Sequence, residues 1–266
     1  MKKIALALLM ALGMFGSAQA EDQALKAAIA GQHRTPANVT RDAARHPYET
    51  LSFFGITPNM TVVELVPEGG WYTEILAPYL REKGQLIGAG DSLKIEKPSP
   101  YALMFKKLLD SNPAVYDKVL IGVFEPPKSF DFAKPESVDM VLTFRNVHNW
   151  VEDGDANMVS TFKAIFNSLK KNGVLGIVDH RRPVTMAQDA KATGGYVHEA
   201  YVIRLAEAAG FKLAAKSEIN ANPKDTANHP KGVWTLPPSL ANKDIDRAKY
   251  VAIGESDRMT LKFVKP

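Results

Sequence analysis

The sequence contains no cysteine. That excludes disulfides and thiolate metal sites, and it suits an oxidising compartment, where a stray thiol is a hazard. No long run of lysine or arginine is present either, so the electrostatic footprint of a nucleic-acid binder is missing. The six histidines show neither an HExxH nor a close His-x-His spacing, so no zinc motif is written into any one segment. Internal repeats, heptads and low-complexity tails are absent too. With 45% apolar residues over 266 positions, the chain has enough apolar surface for one large core or a core with appendages.

The longest apolar run is N-terminal. Lys2 and Lys3 precede IALALLMALGMFG, and Ser17-Ala18-Gln19-Ala20 follows with the small residues that signal peptidase accepts. A run of about thirteen residues falls short of the ~20 needed to span a bilayer, and no cysteine follows to carry a lipid. The pattern predicts a signal peptide over residues 1–20, a mature chain from Glu21, a periplasmic location and no stable membrane anchor after cleavage. Loss of Lys2 and Lys3 lowers the formal charge from +4 to +2, a nearly balanced surface.

Residues 21–60 read as a helical extension. Leu51, Phe53 and Phe54 sit just before Gly55, where a short helix would end; packing against the main domain or forming a lid are the two readings. From residue 61, strand and helix alternate. Strands are expected at 61–65, 85–89, 118–123, 138–143 and 174–178, and helices at 71–81, 101–110 and 198–209. Trp71, Ile75, Leu76, Tyr79 and Leu80 fall on one side of the first of these helices, which Pro78 should bend. Met158, Val159, Phe162, Ile165, Phe166 and Leu169 define another helix, with Asp153 or Asp155 as its start and Gly173 as its stop. Alternation at Phe211, Leu213 and Ala215, and again at Met259, Leu261 and Phe263, predicts two closing strands. The expected fold class is α/β: a Rossmann-like three-layer sandwich with a mostly parallel seven-stranded sheet whose last strand is antiparallel. Residues 61–266 form the main domain in this reading, and the proline-rich segment 220–258 is an ordered surface insertion.

Ligands of open parallel sheets bind beyond the carboxyl ends of the strands. That rule alone selects Glu64, Pro67, Glu68, Gly69 and Gly70 after the first strand, and Asp91 after the second. It also selects Arg145, Asn146 and His148 after the fourth strand, and Asp179 and His180 after the fifth. Polar groups therefore gather at one edge. His198 and Glu199 are expected to begin a helix, and Trp71 and Tyr72 to serve as core or pocket wall.

The order of elements, with VVELVPEGGWYTEIL, VDMVLTFRNVHNW and NGVLGIVDHR, resembles the class I S-adenosylmethionine-dependent methyltransferases. Within them the chain looks like predicted bacterial methyltransferases that carry an export signal and end in a GESDRMTLKFVKP-like tail. The resemblance implies S-adenosylmethionine as cofactor, with Glu64 as the acid of the first strand and Gly70 as the last glycine of the turn. Val66 and Glu68 replace the two earlier glycines, Pro67 is expected to reshape the turn, and Asp91 stands one residue beyond the usual ribose-binding acid. Pro67, Glu68, Gly69, Arg145 and Asn146 complete the implied cofactor site.

Three functional readings follow. The first is methyl transfer to a small-molecule or cell-envelope substrate, with His148, Asp179 or His180 supplying a base and Asp179-His180 facing the substrate. The second is an exported, non-catalytic binding protein that kept the fold. The third is a metal-dependent hydrolase holding zinc through His148, Asp179 and His180, although the preferred reading uses no metal.

Overall fold

A computed structural model describes residues 22–266; the predicted signal peptide, residues 1–20, lies outside the described residues. Seven strands form one sheet: β1 (Thr61–Leu65), β2 (Gln85–Gly90), β3 (Leu120–Val123), β4 (Val138–Phe144), β5 (Leu169–His180), β6 (Lys212–Ser217) and β7 (Arg258–Val264). Their order is β3-β2-β1-β4-β5-β7-β6. Pairing is parallel from β3 through β5, and β7 runs antiparallel to both β5 and β6. This is the mostly parallel, seven-stranded α/β arrangement that the sequence predicts, with the reversed last strand.

Eleven α-helices are present among the described residues. The first four are α1 (Gln23–Ile29), α2 (Pro36–Val39), α3 (Asp42–Arg45) and α4 (Pro47–Phe54), followed by α5 (Thr73–Leu80), α6 (Pro100–Ser111) and α7 (Pro113–Tyr116). The remainder are α8 (Val147–Trp150), α9 (Asp155–Ser168), α10 (Glu199–Ala208) and α11 (Arg247–Ile253). Strand residues alternate between two apolar layers, as a sheet covered on both faces requires. Val63, Leu65 and Val141 join Met158, Phe162, Ile165 and Leu205 on the α9–α10 face. Val62, Met140 and Leu142 join Leu51, Phe54, Ile75, Leu76 and Leu80 on the other.

Three local expectations change. Helix α5 is not apolar on one side only. All its residues except Pro78 are buried, because α1 packs across the face that would otherwise meet water, within the apolar layer that α4 also joins. The α5 end of this layer is tied to the extension by polar contacts: Thr35 Oγ1 donates to Glu74 at 3.2 Å, and Trp71 Nε1 donates to the Asn38 carbonyl at 2.9 Å. The helix expected to stop at Gly173 ends at Ser168, and β5 starts immediately at Leu169, which pairs with Val138. Neither Asp153 nor Asp155 caps that helix through its side chain. Gly154, at φ +83°, occupies the N-cap, and the Asp155 carboxylate accepts from Tyr201 and Arg204 on α10. The helix following His198 does begin at Glu199. Among the described residues no helix is long and apolar enough to cross a membrane.

Candidate functional site

The turn after β1 keeps a glycine-type backbone without the glycines. Val66, Glu68 and Gly70 have φ of +49°, +48° and +70°, the left-handed region that side chains disfavour by about 1–3 kcal/mol each. Glycine survives where space demands it: a Cβ on Gly70 would lie 2.0 Å from Leu108 Cδ2 of α6. Arg145, at the end of β4, is a third non-glycine residue in this conformation, at φ +63°. All three strained side chains line one cavity of about 450 Å³.

That cavity lies at the carboxyl ends of β1, β4 and β5, within the size range of small-molecule sites. Of the sequence-predicted residues, Glu64, Pro67, Glu68, Gly69, Gly70, Arg145, Asn146, His148 and His180 line it. Two do not. Asp91 opens onto a separate crevice of about 20 Å³ beyond Pro67 and Glu68, walled by Tyr101 and Phe105 of α6. Asp179 is fully buried behind His148, so the expected substrate-facing pair reduces to His180.

Glu64 is 3% exposed and accepts one hydrogen bond, from Thr73 Oγ1 at 2.6 Å. Burial pushes its carboxyl up to about 7, only partly offset by that bond. Glu68 is raised as well, chiefly by burial, with Arg145 and His148 pulling it back and Asp91 pushing it further up. Two acids whose carboxyls burial pushes up face the same space. A cation entering there would favour their ionised forms.

Asp179 organises the histidines. Its two oxygens accept from His148 Nδ1 at 2.9 Å, from the His148 backbone N–H at 2.9 Å and from the His180 backbone N–H at 2.7 Å. A carboxylate only accepts, so Nδ1 of His148 carries the proton and Nε2 is left as a base on the cavity wall. The His180 ring stands 5.1 Å from that of His148, with Nδ1 2.5 Å from Ser256 Oγ. Its pKa is held well below the usual histidine value by burial first, then by His148, Arg145 and Arg258, so it is neutral. Asn146 supports the turn from beneath by donating to the Leu65 carbonyl at 3.0 Å. His148, Asp179 and His180 do come together, offering ligand atoms within 4.8 Å of one another. Both Asp179 oxygens are already committed to hydrogen bonds, which leaves a poor donor set for zinc.

Sequence reasoning missed a whole wall. Asn38, Arg41 and Arg45 from the extension line the cavity, as do Trp234, Pro238 and Ser239 from the 220–258 segment. The readable signal was Arg41 and Arg45 at i, i+4 in an otherwise mild helical preface. The C-terminal tail forms the backing: Glu255 pairs with Arg41, Arg45 and Arg258, and Asp257 with Arg181. Trp71, Tyr72 and Phe144 form the apolar part of the lining, the last two stacked with ring centroids 3.5 Å apart.

These residues can be tested against S-adenosylmethionine. The left-handed turn and the carboxyl groups of Glu64 and Glu68 suit its cationic amino-acid and sulfonium end. The nucleoside end has its acid, Asp91, but α6 fills the adjoining space: Phe105 sits where a Cβ on Gly88 would come within 2.3 Å. The residues fit the methionine end of the group, while the crevice beside Asp91 at the nucleoside end is only about 20 Å³.

No protein-family model matches the chain, and no curated protein matches it significantly. Among solved structures, a SAM-dependent methyltransferase from Aquifex aeolicus superposes with a TM-score of 0.57 at 14% identity, covering 85% of this chain and 93% of its own. The [4+2]-cyclase SpnF gives 0.57 at 13% identity, covering 91% of each chain. Geranyl diphosphate C-methyltransferase from Streptomyces coelicolor A3(2), solved with Mg2+, geranyl diphosphate and S-adenosyl-L-homocysteine, gives 0.55 at 12% identity over 94% of this chain and 86% of its own. At such identities it is the fold that is shared, and this chain has the α/β fold of the S-adenosylmethionine-dependent methyltransferases.

Proposed function

We propose that the protein is an exported S-adenosylmethionine-dependent methyltransferase acting on a small-molecule or cell-envelope substrate in the periplasm. The observation that carries this reading is the turn after β1. The backbone at residues 66, 68 and 70 is left-handed, at a strain cost, beside a buried acid whose pKa is raised, which supports a role as a cofactor loop. A binding protein without catalysis would have less reason to also set His148 and Asp179 as an oriented base. The export signal supports the location, and the GESDRMTLKFVKP tail supports kinship with exported methyltransferases.

When bound, S-adenosylmethionine supplies an electrophilic methyl group on a sulfonium. The chain's own residues then have separate tasks. Glu64 and Glu68 face positive charge, which favours their carboxylate forms. His148 Nε2 takes the proton of an oxygen or nitrogen acceptor, while Asp179 is a positioning residue that fixes the ring and stabilises the imidazolium. His180 stays neutral beside it, so the wall around the base gains no second charge. Trp71, Tyr72 and Phe144 exclude water from this part of the cavity.

Thermal unfolding with S-adenosylmethionine, S-adenosylhomocysteine and adenosine, titrated separately, tests the reading. At a hundred times its dissociation constant a ligand adds about 2.7 kcal/mol, so saturable shifts with the two sulfur ligands are expected. Absence of any shift at millimolar ligand sinks the assignment and promotes the exported binding protein.

A further inference from the structure

A cationic ligand accounts for the acids of the cavity and leaves its opposite wall unexplained. Arg41, Arg45 and Arg145 line that wall, and Arg258 stands behind them against Arg45 and Arg145. Glu255 is the carboxylate that pairs within this group. It accepts from Arg41 Nε at 3.0 Å, from Arg45 Nε at 3.1 Å and from Arg258 Nη1 at 2.5 Å. Among the described residues Arg145 has no ion pair and no side-chain hydrogen bond, although Glu255, Arg41, Arg258 and Glu68 all act on its charge. Among the same residues Arg41 Nη2, Arg45 Nη2 and Arg258 Nε are buried without a hydrogen-bond partner.

Three guanidinium groups therefore share one carboxylate, a fourth stands beside them without an ion pair among the described residues, and three buried donors lack an acceptor. Unsatisfied buried donors are rare and costly, and uncompensated buried charge more so. The methyl donor does not repair this, because its sulfonium and ammonium outweigh its single carboxylate. What would repair it is an acceptor-rich anion, for which the planar guanidinium fork is well matched. The wall is also held stiff: Arg45 stacks over Trp71, with its guanidinium carbon 4.9 Å from the ring centroid.

We propose that Arg41, Arg45 and Arg145 form a subsite for the anionic group, a carboxylate or phosphate, of the small molecule that accepts the methyl group. The word acceptor rests on the methyltransferase reading; the anion subsite rests on the arginine wall alone.

The test is thermal unfolding of the protein, of Arg41→Gln and of Arg145→Gln, titrated separately with inorganic phosphate and with S-adenosylhomocysteine. Both variants should fold, since among the described residues Arg145 has no partner to lose and the Arg41 side chain is 23% exposed. A saturable phosphate shift is expected in the parent, at least tenfold weaker in each variant, with S-adenosylhomocysteine affinity held within threefold in Arg41→Gln. No phosphate shift, or an equal one in the variants, overturns the proposal. Equal weakening of both ligands in Arg41→Gln overturns it too, because the wall would then serve the donor's own carboxylate. Phosphate binding that needs the arginines, with no binding of S-adenosylhomocysteine, keeps the subsite and removes the donor.

Discussion

The two sides of the cavity are built in opposite ways. The acidic side, Glu64 to Gly70, runs from the end of β1 through the turn that follows it, and burial pushes up the carboxyls of Glu64 and the half-buried Glu68. The basic side is assembled from α3, the end of β4 and the start of β7, and the contact between Arg45 and Glu255 spans 210 residues. A local turn can carry its strain within a few residues, whereas like charges so far apart in sequence stay together only because the surrounding packing holds them. The first side is a motif with altered letters. The second is a property of the fold.

His148 lies where the sides meet, so it gives the sharpest test of whether they serve one reaction. His148→Gln should lower methyl transfer to an envelope extract by about 10²–10⁴-fold, measured with methyl-labelled donor, while S-adenosylhomocysteine still raises the unfolding midpoint. Unchanged transfer would separate the two sides functionally.

Glu255→Gln attacks the basic side alone. Removing the carboxylate among three guanidinium groups should cost about 3–5 kcal/mol in urea unfolding. A cost under 1 kcal/mol would mean that packing, not charge, holds the wall.

On the acidic side the expected effect depends on pH. Glu64 keeps its proton up to about 7 in the folded chain against 4.5 when unfolded. Below pH 4.5 both states are protonated and the group contributes nothing. Between 4.5 and 7 only the unfolded chain ionises, so stability falls as pH rises, by about 3 kcal/mol in all. Glu64→Gln should remove that slope and gain about 3 kcal/mol on the parent between pH 4 and pH 8, read by urea unfolding at each pH. Equal slopes would show that Glu64 is ionised in the folded state.

The smallest effect probes the strained turn. Glu68→Gly should relieve left-handed strain of about 1–3 kcal/mol against a glycine entropy cost of about 0.5–1 kcal/mol, for a net gain near 1 kcal/mol. Gly70→Ala, where Leu108 blocks a Cβ, should lose about 1–2 kcal/mol. Equal responses at 68 and 70 would erase the distinction between a tolerated and an excluded side chain.

The sequence by itself determined the alternation of strand and helix, the reversal of the last strand and the residues at the strand ends, because apolar periodicity and turn residues are local signals. Glu64, Gly70, Arg145 and His148 were legible for that reason. Tertiary structure decided what local patterns cannot carry. The backbone angles of Val66 and Glu68 contradict their own preferences and are imposed by the strands and helices that flank them. Asp179 turned from the cavity to orient His148 because β5 is buried on both faces. Helix α5 lost its solvent face to α1, whose cover depends on polar contacts across the extension. Arg41, Arg45 and Glu255 became one wall only when the two ends of the chain met over the sheet, and no pattern within either end records that meeting.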